Sequence, residues 1–241
     1  MKRFATLISL AAAIAAIAAA ASAHAGSSAT RAGGVVLETK FPAAGALTVN
    51  SVVVRRKPST TARKIKTMKY FRPDYRVQEI LAVASATAPN GTPWYRISVP
   101  MRPNGTYGWI PAADVTLSPT AAQIVVNVSA RTIDVFRHGK RVLHAQVAVG
   151  APGMETPLGH YYVAAAFKPV NDPFLGVWAL ETSAYSKLTD WPGGGVVGIH
   201  GTNMPWLLGK AVSHGCVRVS NTTAAALKRL APAGTPIVIK G

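Results

Sequence analysis

Hydrophobic positions between residues 46 and 118 come in short runs that turn-forming residues interrupt. The runs are 52–54, 77–83, 94–99 and 107–110, and Pro58-Ser59, Pro89-Asn90-Gly91 and Pro103-Asn104-Gly105 stand between them. Short apolar runs with turn signals this close together predict a small all-β barrel rather than a helical unit. The aromatic residues of this half (Trp94, Tyr95, Tyr107 and Trp109) are interpreted as its core and rim, with a ligand groove as the alternative.

The chain after the predicted linker Ser118-Pro119-Thr120 shows the same strand-like pattern. Strands are predicted at 123–128, 132–136, 141–149, 159–167, 196–200 and 236–240. One helix is predicted over 222–230, because Ser220 or Asn221 can cap its start and Lys228 and Arg229 fall in its last turn. The long segment 168–195 is interpreted as a lid or pocket wall, or alternatively as a surface connection. The second half is therefore predicted to be mainly β.

The first 25 residues have the pattern of a secretory signal peptide. Lys2 and Arg3 precede an alanine-rich apolar run over 4–21, and Ala21-Ser22-Ala23 or Ala23-His24-Ala25 supplies a cleavage pattern. An uncleaved membrane anchor is the alternative, since the run is near the minimum length that spans a bilayer. Removal of residues 1–25 predicts an exported protein of the periplasm or the cell wall and extracellular space, with no transmembrane anchor. Residues 26–45 are predicted to be a flexible lead-in.

Basic residues exceed acidic ones throughout the chain. The formal net charge is +17, and loss of Lys2 and Arg3 with the signal lowers it to +15. The basic residues are densest between Arg55 and Arg76. A basic surface attracts polyanions, and for an exported protein we expect the anionic cell envelope as a partner rather than nucleic acid. A solvated basic surface that aids solubility is the alternative.

Cys216 is the only cysteine, so the chain can build neither an internal disulfide framework nor a multi-thiolate metal site. It lies 16 residues after His200, with turn formers between them, so a folded-back loop could bring the two together. An imidazole that takes the thiol proton makes a thiolate, which attacks carbonyl groups that a thiol barely touches. Gly215 leaves room for substrate and lets nearby backbone N–H groups turn toward an oxyanion.

Cys216 has three alternative interpretations. A metal site built from His200, His214 and Cys216 lacks acidic partners, because no Asp or Glu follows Asp190. A merely buried cysteine and a thiol for intermolecular disulfides are the other two. Nucleophilic catalysis is the favoured assignment, and neither a metal nor a cofactor is expected.

The segment Ser213-His214-Gly215-Cys216-Val217-Arg218, preceded by Ile199-His200-Gly201-Thr202, resembles the signature of bacterial L,D-transpeptidases, which cross-link peptidoglycan. Thr156-Pro157-Leu158-Gly159 resembles a turn of the same domain. Segments 54–59, 91–97 and 108–110 resemble a bacterial SH3-like domain, of a kind that commonly binds cell-wall peptides. Together they imply a mainly β chain. A small SH3-like β-barrel (46–118) precedes an L,D-transpeptidase-type β-sandwich catalytic domain (122–240), with one short helix after the cysteine.

The resemblance also implies roles for single residues. Cys216 would be the nucleophile and His200 the general base and then acid, with the carbonyl of Gly201 orienting the imidazole and Gly215 supporting the oxyanion. Ser213, His214 and Arg218 would shape the pocket and hold substrate carboxylates. For His214, packing or hydrogen bonding beside the nucleophile is favoured over direct proton transfer. Some members carry Asn where Arg218 stands, which leaves the role of Arg218 less secure.

The reaction that the resemblance implies is an acyl transfer in cell-wall biogenesis. Cys216 would form a thioester with a tetrapeptide stem of peptidoglycan, release D-alanine and pass the acyl group to a neighbouring stem, giving a 3-3 cross-link. If water accepts the acyl group instead, the same residues make an L,D-carboxypeptidase. The alternative to an enzyme is a non-catalytic protein that binds the cell wall.

Overall fold

A computed structural model of the protein describes residues 31–32, 35–36, 39–190 and 192–241. The predicted signal peptide and much of the predicted lead-in lie outside these residues. The two short strands β1 (Arg31–Ala32) and β2 (Val35–Val36) pair antiparallel. No helix within the described ranges is both long and apolar enough to cross a bilayer.

Seven strands form the first sheet, in the order β5-β4-β8-β7-β6-β3-β9 with antiparallel neighbours. They are β3 (Ala43–Leu47), β4 (Ser51–Arg55), β5 (Lys64–Lys69), β6 (Glu79–Thr87), β7 (Pro93–Ser98), β8 (Tyr107–Pro111) and β9 (Val115–Pro119). Buried positions alternate with less buried ones along β4 and β8, as expected for strands with one face on a core. The core contains Val54, Ile80, Ile97 and Ile110.

Eight strands form the second sheet, in the order β12-β11-β10-β19-β14-β15-β16-β18. They are β10 (Ala122–Asn127), β11 (Thr132–Arg137), β12 (Lys140–Gln146), β14 (Gly159–Phe167), β15 (Ala179–Tyr185), β16 (Val196–His200), β18 (Val217–Arg218) and β19 (Pro236–Lys240). β13 (Val149–Gly150) and β17 (Ala211–Ser213) pair separately. Most neighbours are antiparallel, but β10 with β19 and β16 with β18 are parallel.

A single α-helix among the described residues, α1 (Asn221–Leu230), follows β18 and packs on this sheet through Ala224 and Leu227. The side chain of Ser220 caps it by accepting a hydrogen bond of 3.0 Å from the N–H of Thr223. The mainly β class with one short helix after the cysteine, predicted from the sequence, is confirmed.

The two halves of the chain are tied together by side chains that cross between them. Arg102 donates hydrogen bonds of 3.0–3.1 Å to the carbonyl oxygens of Ser186, Leu188 and Gly194. Asn104 makes two hydrogen bonds with the backbone of Tyr185, at 2.7 and 3.0 Å. Because these contacts fix the loop 102–104 against the second half, the relative position of the halves does not depend on the linker alone.

The structure differs from the predicted elements where polar residues lie in strands. β15 occupies the middle of segment 168–195, which the sequence suggested as a lid or a surface connection. Its sequence includes Glu181, Thr182 and Ser183, so no apolar run marks it. β5 has three lysines among Ile65, Thr67 and Met68. It was not predicted either, because it too lacks an apolar run. β3 begins at Ala43, inside the segment predicted as a flexible lead-in.

Candidate active site

The parallel pairing of β16 with β18 brings the two predicted catalytic residues onto neighbouring strands. Ile199 pairs with Val217 and His200 with Arg218. Cys216, the residue just before β18, consequently lies beside Gly198 of β16, whose N–H donates a hydrogen bond of 3.3 Å to its Sγ. The thiol and the imidazole of His200 line the same pocket.

The imidazole of His200 is buried and fixed in one tautomer. Its Nδ1 lies 2.6 Å from the carbonyl oxygen of Gly201. A carbonyl oxygen can only accept a hydrogen bond, so Nδ1 carries the proton and Nε2 keeps a lone pair. Burial lowers the pKa of His200 and the charge of Arg218 adds to this, against the opposing effect of the Gly201 hydrogen bond. The ring is therefore held neutral, in the form that accepts a proton.

The thiol of Cys216 is held neutral as well. Burial raises its pKa, although the N–H of Gly198 and the charge of Arg218 act in the opposite direction. With the pKa of the thiol raised and that of the imidazole lowered, the resting pair is a thiol and an imidazole rather than a thiolate and an imidazolium. A nucleophile at this position thus needs the base at the moment of attack.

Hydrogen bonds within the turn before Cys216 use the polar groups of Ser213 and Gly215. The hydroxyl of Ser213 donates to the carbonyl of Cys216 at 2.5 Å and accepts from the N–H of Gly215 at 3.2 Å. Gly215 has φ +116°, and a Cβ there would lie 3.0 Å from the Cβ of Ser186. Both residues therefore shape the turn, and the carboxylate binding and oxyanion support that the resemblance implies for them stay predictions.

Thr156 anchors the same turn from a distant part of the sequence. Its buried hydroxyl donates to the carbonyl of Gly215 and accepts from the N–H of Gly150, each at 2.9 Å. A Cβ on Gly150 would lie 2.2 Å from the carbonyl oxygen of Met154, so only glycine fits at that position. The sequence indicates that the Thr-Pro-x-Gly segment is a turn of the domain, but no local signal shows that it supports the cysteine turn.

Arg218 and Phe174 form a second polar and aromatic wall beside His200. The guanidinium of Arg218 lies 4.5 Å from the ring centre of Phe174, whose ring centre is 6.0 Å from that of His200. Arg218 is buried, and its Nε has no hydrogen-bond partner among the described residues. The side chain of Asp172 fixes this turn by accepting from the N–H of Phe174 at 3.1 Å. Phe174 was not among the residues that the sequence predicts for the site.

The pocket has a volume of about 700 Å³ and gathers most of the predicted site residues. His200, Ser213, His214, Cys216 and Arg218 line it. Gly201 and Gly215 lie behind this lining, where they hold the imidazole and the turn. Phe174, Leu175, Glu181 and Tyr185, from segment 168–195, also contribute, so part of that segment does form a pocket wall.

Across residues 39–190 and 192–241, no cluster of three or more His, Cys, Asp or Glu side chains has the spacing of a metal site.

Fold and pocket together define a β domain in which one thiol stands near a buried, neutral imidazole, an arrangement suited to acyl transfer through a cysteine. Residues 121–239 match the family model of the L,D-transpeptidase catalytic domain, and residues 44–116 match that of the GW (Gly-Tryp) dipeptide domain. The C-terminal half of the chain belongs to the L,D-transpeptidase catalytic domain family, and a GW domain precedes it. The resemblance inferred from the His-Gly-Cys segment is confirmed.

Two relatives that are named L,D-transpeptidase match the C-terminal half of the chain. The L,D-transpeptidase YkuD of Bacillus subtilis is 32% identical over 117 residues, which are 48% of this chain and 64% of that protein. The Bacillus licheniformis protein of that name is 31% identical over 118 residues, again 48% and 64%. The chain thus spans less than two thirds of the length of these relatives, 64% in each case.

Two solved structures of mycobacterial enzymes are similar at lower identity. An L,D-transpeptidase from Mycobacterium tuberculosis is 17% identical, with 68% of this chain and 90% of that chain covered and a TM-score of 0.44. One from Mycobacterium smegmatis is 17% identical, with 65% and 98% covered and a TM-score of 0.41.

Replacing Thr156 with valine is expected to lower the free energy of unfolding by about 2 kcal/mol, because the N–H of Gly150 and the carbonyl of Gly215 both lose a buried partner. Denaturant unfolding of the variant measures this. Thr116→Val is the matched control, since Thr116 is an exposed residue of β9, and it should change the stability by less than about 0.5 kcal/mol. Equal stability of the two variants would contradict the anchoring function of Thr156.

Proposed function

We propose that the protein is an exported L,D-transpeptidase that makes 3-3 cross-links in peptidoglycan through a thioester on Cys216. The observation that carries the proposal is the neutral imidazole of His200, locked by Gly201 with Nε2 free of its proton, in the same pocket as the chain's only thiol. Membership of the L,D-transpeptidase catalytic domain family supports a peptidoglycan-related acyl transferase.

In the first step, Nε2 of His200 takes the proton of the Cys216 thiol as Sγ attacks the carbonyl of the third stem residue. The negative charge that develops on the carbonyl oxygen needs N–H donors. Because the N–H of Gly215 already binds Ser213, we assign this function to the N–H of Cys216. The imidazolium then gives its proton to the amine of D-alanine as the peptide bond breaks, and the thioester remains.

In the second step, the side-chain amine of a neighbouring stem attacks the thioester carbonyl and His200 accepts a proton from that amine. The carbon–sulfur bond breaks, the new amide forms, and the proton returns from His200 to Sγ. Water in place of the amine would give hydrolysis by the same groups.

We assign to Arg218 the binding of a carboxylate of the stem peptide. Its guanidinium is buried at the pocket with Nε unpaired, and a bound carboxylate would supply the missing acceptor. The net charge of +15 after signal removal favours the anionic cell envelope as the location of the protein. The GW domain supports attachment to the cell wall there.

Incubation of the full chain with a disaccharide-tetrapeptide tests the proposal. We expect one D-alanine released for each stem used as donor, and mass spectrometry should find a dimer joined between the third residues of two stems. A tripeptide product with no dimer would replace transpeptidation by L,D-carboxypeptidase activity. Neither product, with the substrate intact, would overturn the enzymatic function.

A further inference from the structure

A hairpin of the first domain reaches the pocket of the second. We call residues 71–77, between β5 and β6, the Arg72 hairpin. Phe71 and Val77 form its bridge, and the N–H of Arg72 donates to the carbonyl of Arg76 at 2.8 Å. Arg72, Pro73 and Asp74 line the same pocket as Cys216 and His200. The pocket is therefore built by both domains.

The hairpin is held to the second domain by an ion pair. Nη2 of Arg72 lies 2.5 Å from Oε1 of Glu181 in β15, and its Nε lies 3.4 Å from Oδ1 of Asp74. Burial disfavours the charge of Arg72, but the hydrogen bond and charge of Glu181, with the contribution of Asp74, outweigh it and raise its pKa. Arg76 lies over the ring of Phe167 at 4.6 Å and fastens the same hairpin. Arg72 thus stays charged and faces Glu181.

The sheet register places Glu181 opposite Gly198, the residue whose N–H binds the thiol of Cys216. Glu181 pairs directly with Gly198 across β15 and β16, so the two residues point to the same face of the sheet. The N–H of Gly198 binds Sγ of Cys216, and a Cβ on Gly198 would lie 3.8 Å from that sulfur. Since glycine has no side chain, nothing from position 198 separates the Glu181 side of this face from the thiol.

A carboxylate in this place would oppose the reaction if it were unpaired. Negative charge develops at the thiol and on the tetrahedral oxygen, and a stem peptide with free carboxylates is itself anionic. Like charges at short distance in a pocket with restricted water repel strongly. An arginine that neutralises the carboxylate removes this repulsion.

We propose that Arg72 is a specificity-determining residue: by neutralising Glu181 from the first domain, it lets the pocket admit anionic ligands to Cys216. The identity of the ligand as an anionic stem peptide rests on the proposed function. The effect of Arg72 on the charge of the pocket does not, and it can be measured without turnover.

The probe is alkylation of Cys216, which is clean because the chain has no other cysteine. In the full chain, the rates with iodoacetate and with iodoacetamide are compared, since these reagents are similar in size and differ in charge. We expect Arg72→Met to lower the iodoacetate-to-iodoacetamide ratio by about threefold or more. Glu181→Gln should raise the ratio, and the double variant should return it close to that of the native chain.

Controls separate charge at the pocket from other effects. Arg63→Met removes an exposed positive charge of the same domain away from the pocket and should leave the ratio unchanged. Arg72→Lys keeps the charge and should retain most of the native ratio. Thermal unfolding of each variant shows that a changed ratio does not come from loss of the fold.

Two results would overturn the inference. An unchanged ratio in Arg72→Met would show that the hairpin packs at the pocket without governing its charge. A ratio lowered by Arg72→Met that Glu181→Gln does not restore would mean that Arg72 acts on the ligand itself. If the native chain forms no cross-links, the proposed function fails while the alkylation ratio still tests the inference. If the native chain does form cross-links, Arg72→Met should raise KM for the stem peptide more than it lowers kcat.

Discussion

Substitution of Cys216 by alanine is expected to reduce the proposed cross-link formation at least about 10⁴-fold in kcat/KM, because no other thiol in the chain can replace it. The loss should come with little change in the fold. Sγ accepts one hydrogen bond, from the N–H of Gly198, and losing that acceptor costs about 1 kcal/mol. Release of D-alanine from a disaccharide-tetrapeptide measures the activity, and thermal unfolding measures the stability.

Cys216→Ser is the matched control for this result. The hydroxyl keeps an acceptor for the N–H of Gly198 but is a much weaker nucleophile than a thiol, so activity should be lost while stability stays closer to that of the native chain. Mass spectrometry after exposure to a carbapenem, an acylating agent, should show an adduct on Cys216 in the native chain and none in either variant. Continued D-alanine release by both variants would place the nucleophile elsewhere.

Strands with continuous apolar runs could be predicted from the sequence, because a run of apolar residues indicates a strand that is buried in the core. β14, β16 and β19 lie at 159–167, 196–200 and 236–240, the ranges expected from the sequence. β15 could not be found this way. Its polar residues are satisfied by partners from elsewhere in the fold, as when the hydroxyl of Thr182 donates to the carbonyl of Val197. Local patterns carry no signal for such long-range pairing.

The candidate active site likewise has a part that the sequence predicts and a part that it does not predict. Cys216 and His200 could be predicted because their chemistry is rare and the spacing suited a folded-back loop. What holds them could not, since the supports come from distant segments. Thr156 reaches Gly215 across 59 residues, and Arg72 reaches Glu181 across 109. The hydrogen bonds of Ser213 and Gly215 depend on the turn that these residues themselves form, so no local pattern in the sequence predicts them.

Substitution of His200 by glutamine is expected to reduce kcat/KM by about 10²–10⁴-fold, the usual contribution of a general base and acid. Glutamine can still donate to the carbonyl of Gly201 but has no basic nitrogen to take the thiol proton, so the neutral thiol of Cys216 would stay protonated. His160→Gln is the matched control, because His160 is exposed on β14, and its activity should equal that of the native chain. A native rate in His200→Gln would exclude proton transfer by this ring.

The pH dependence should identify His200 as the base. Burial and the charge of Arg218 lower its pKa from the ordinary 6.5, so kcat/KM should fall only below that pH, where the ring becomes protonated and loses its lone pair. Arg218→Met removes the positive charge that disfavours the imidazolium, so the pKa of His200 rises and the acid limb moves to higher pH. The limb should disappear in His200→Gln, whatever rate remains. A limb that stays in place in Arg218→Met and persists in His200→Gln would belong to another group, and His200 would not be the base.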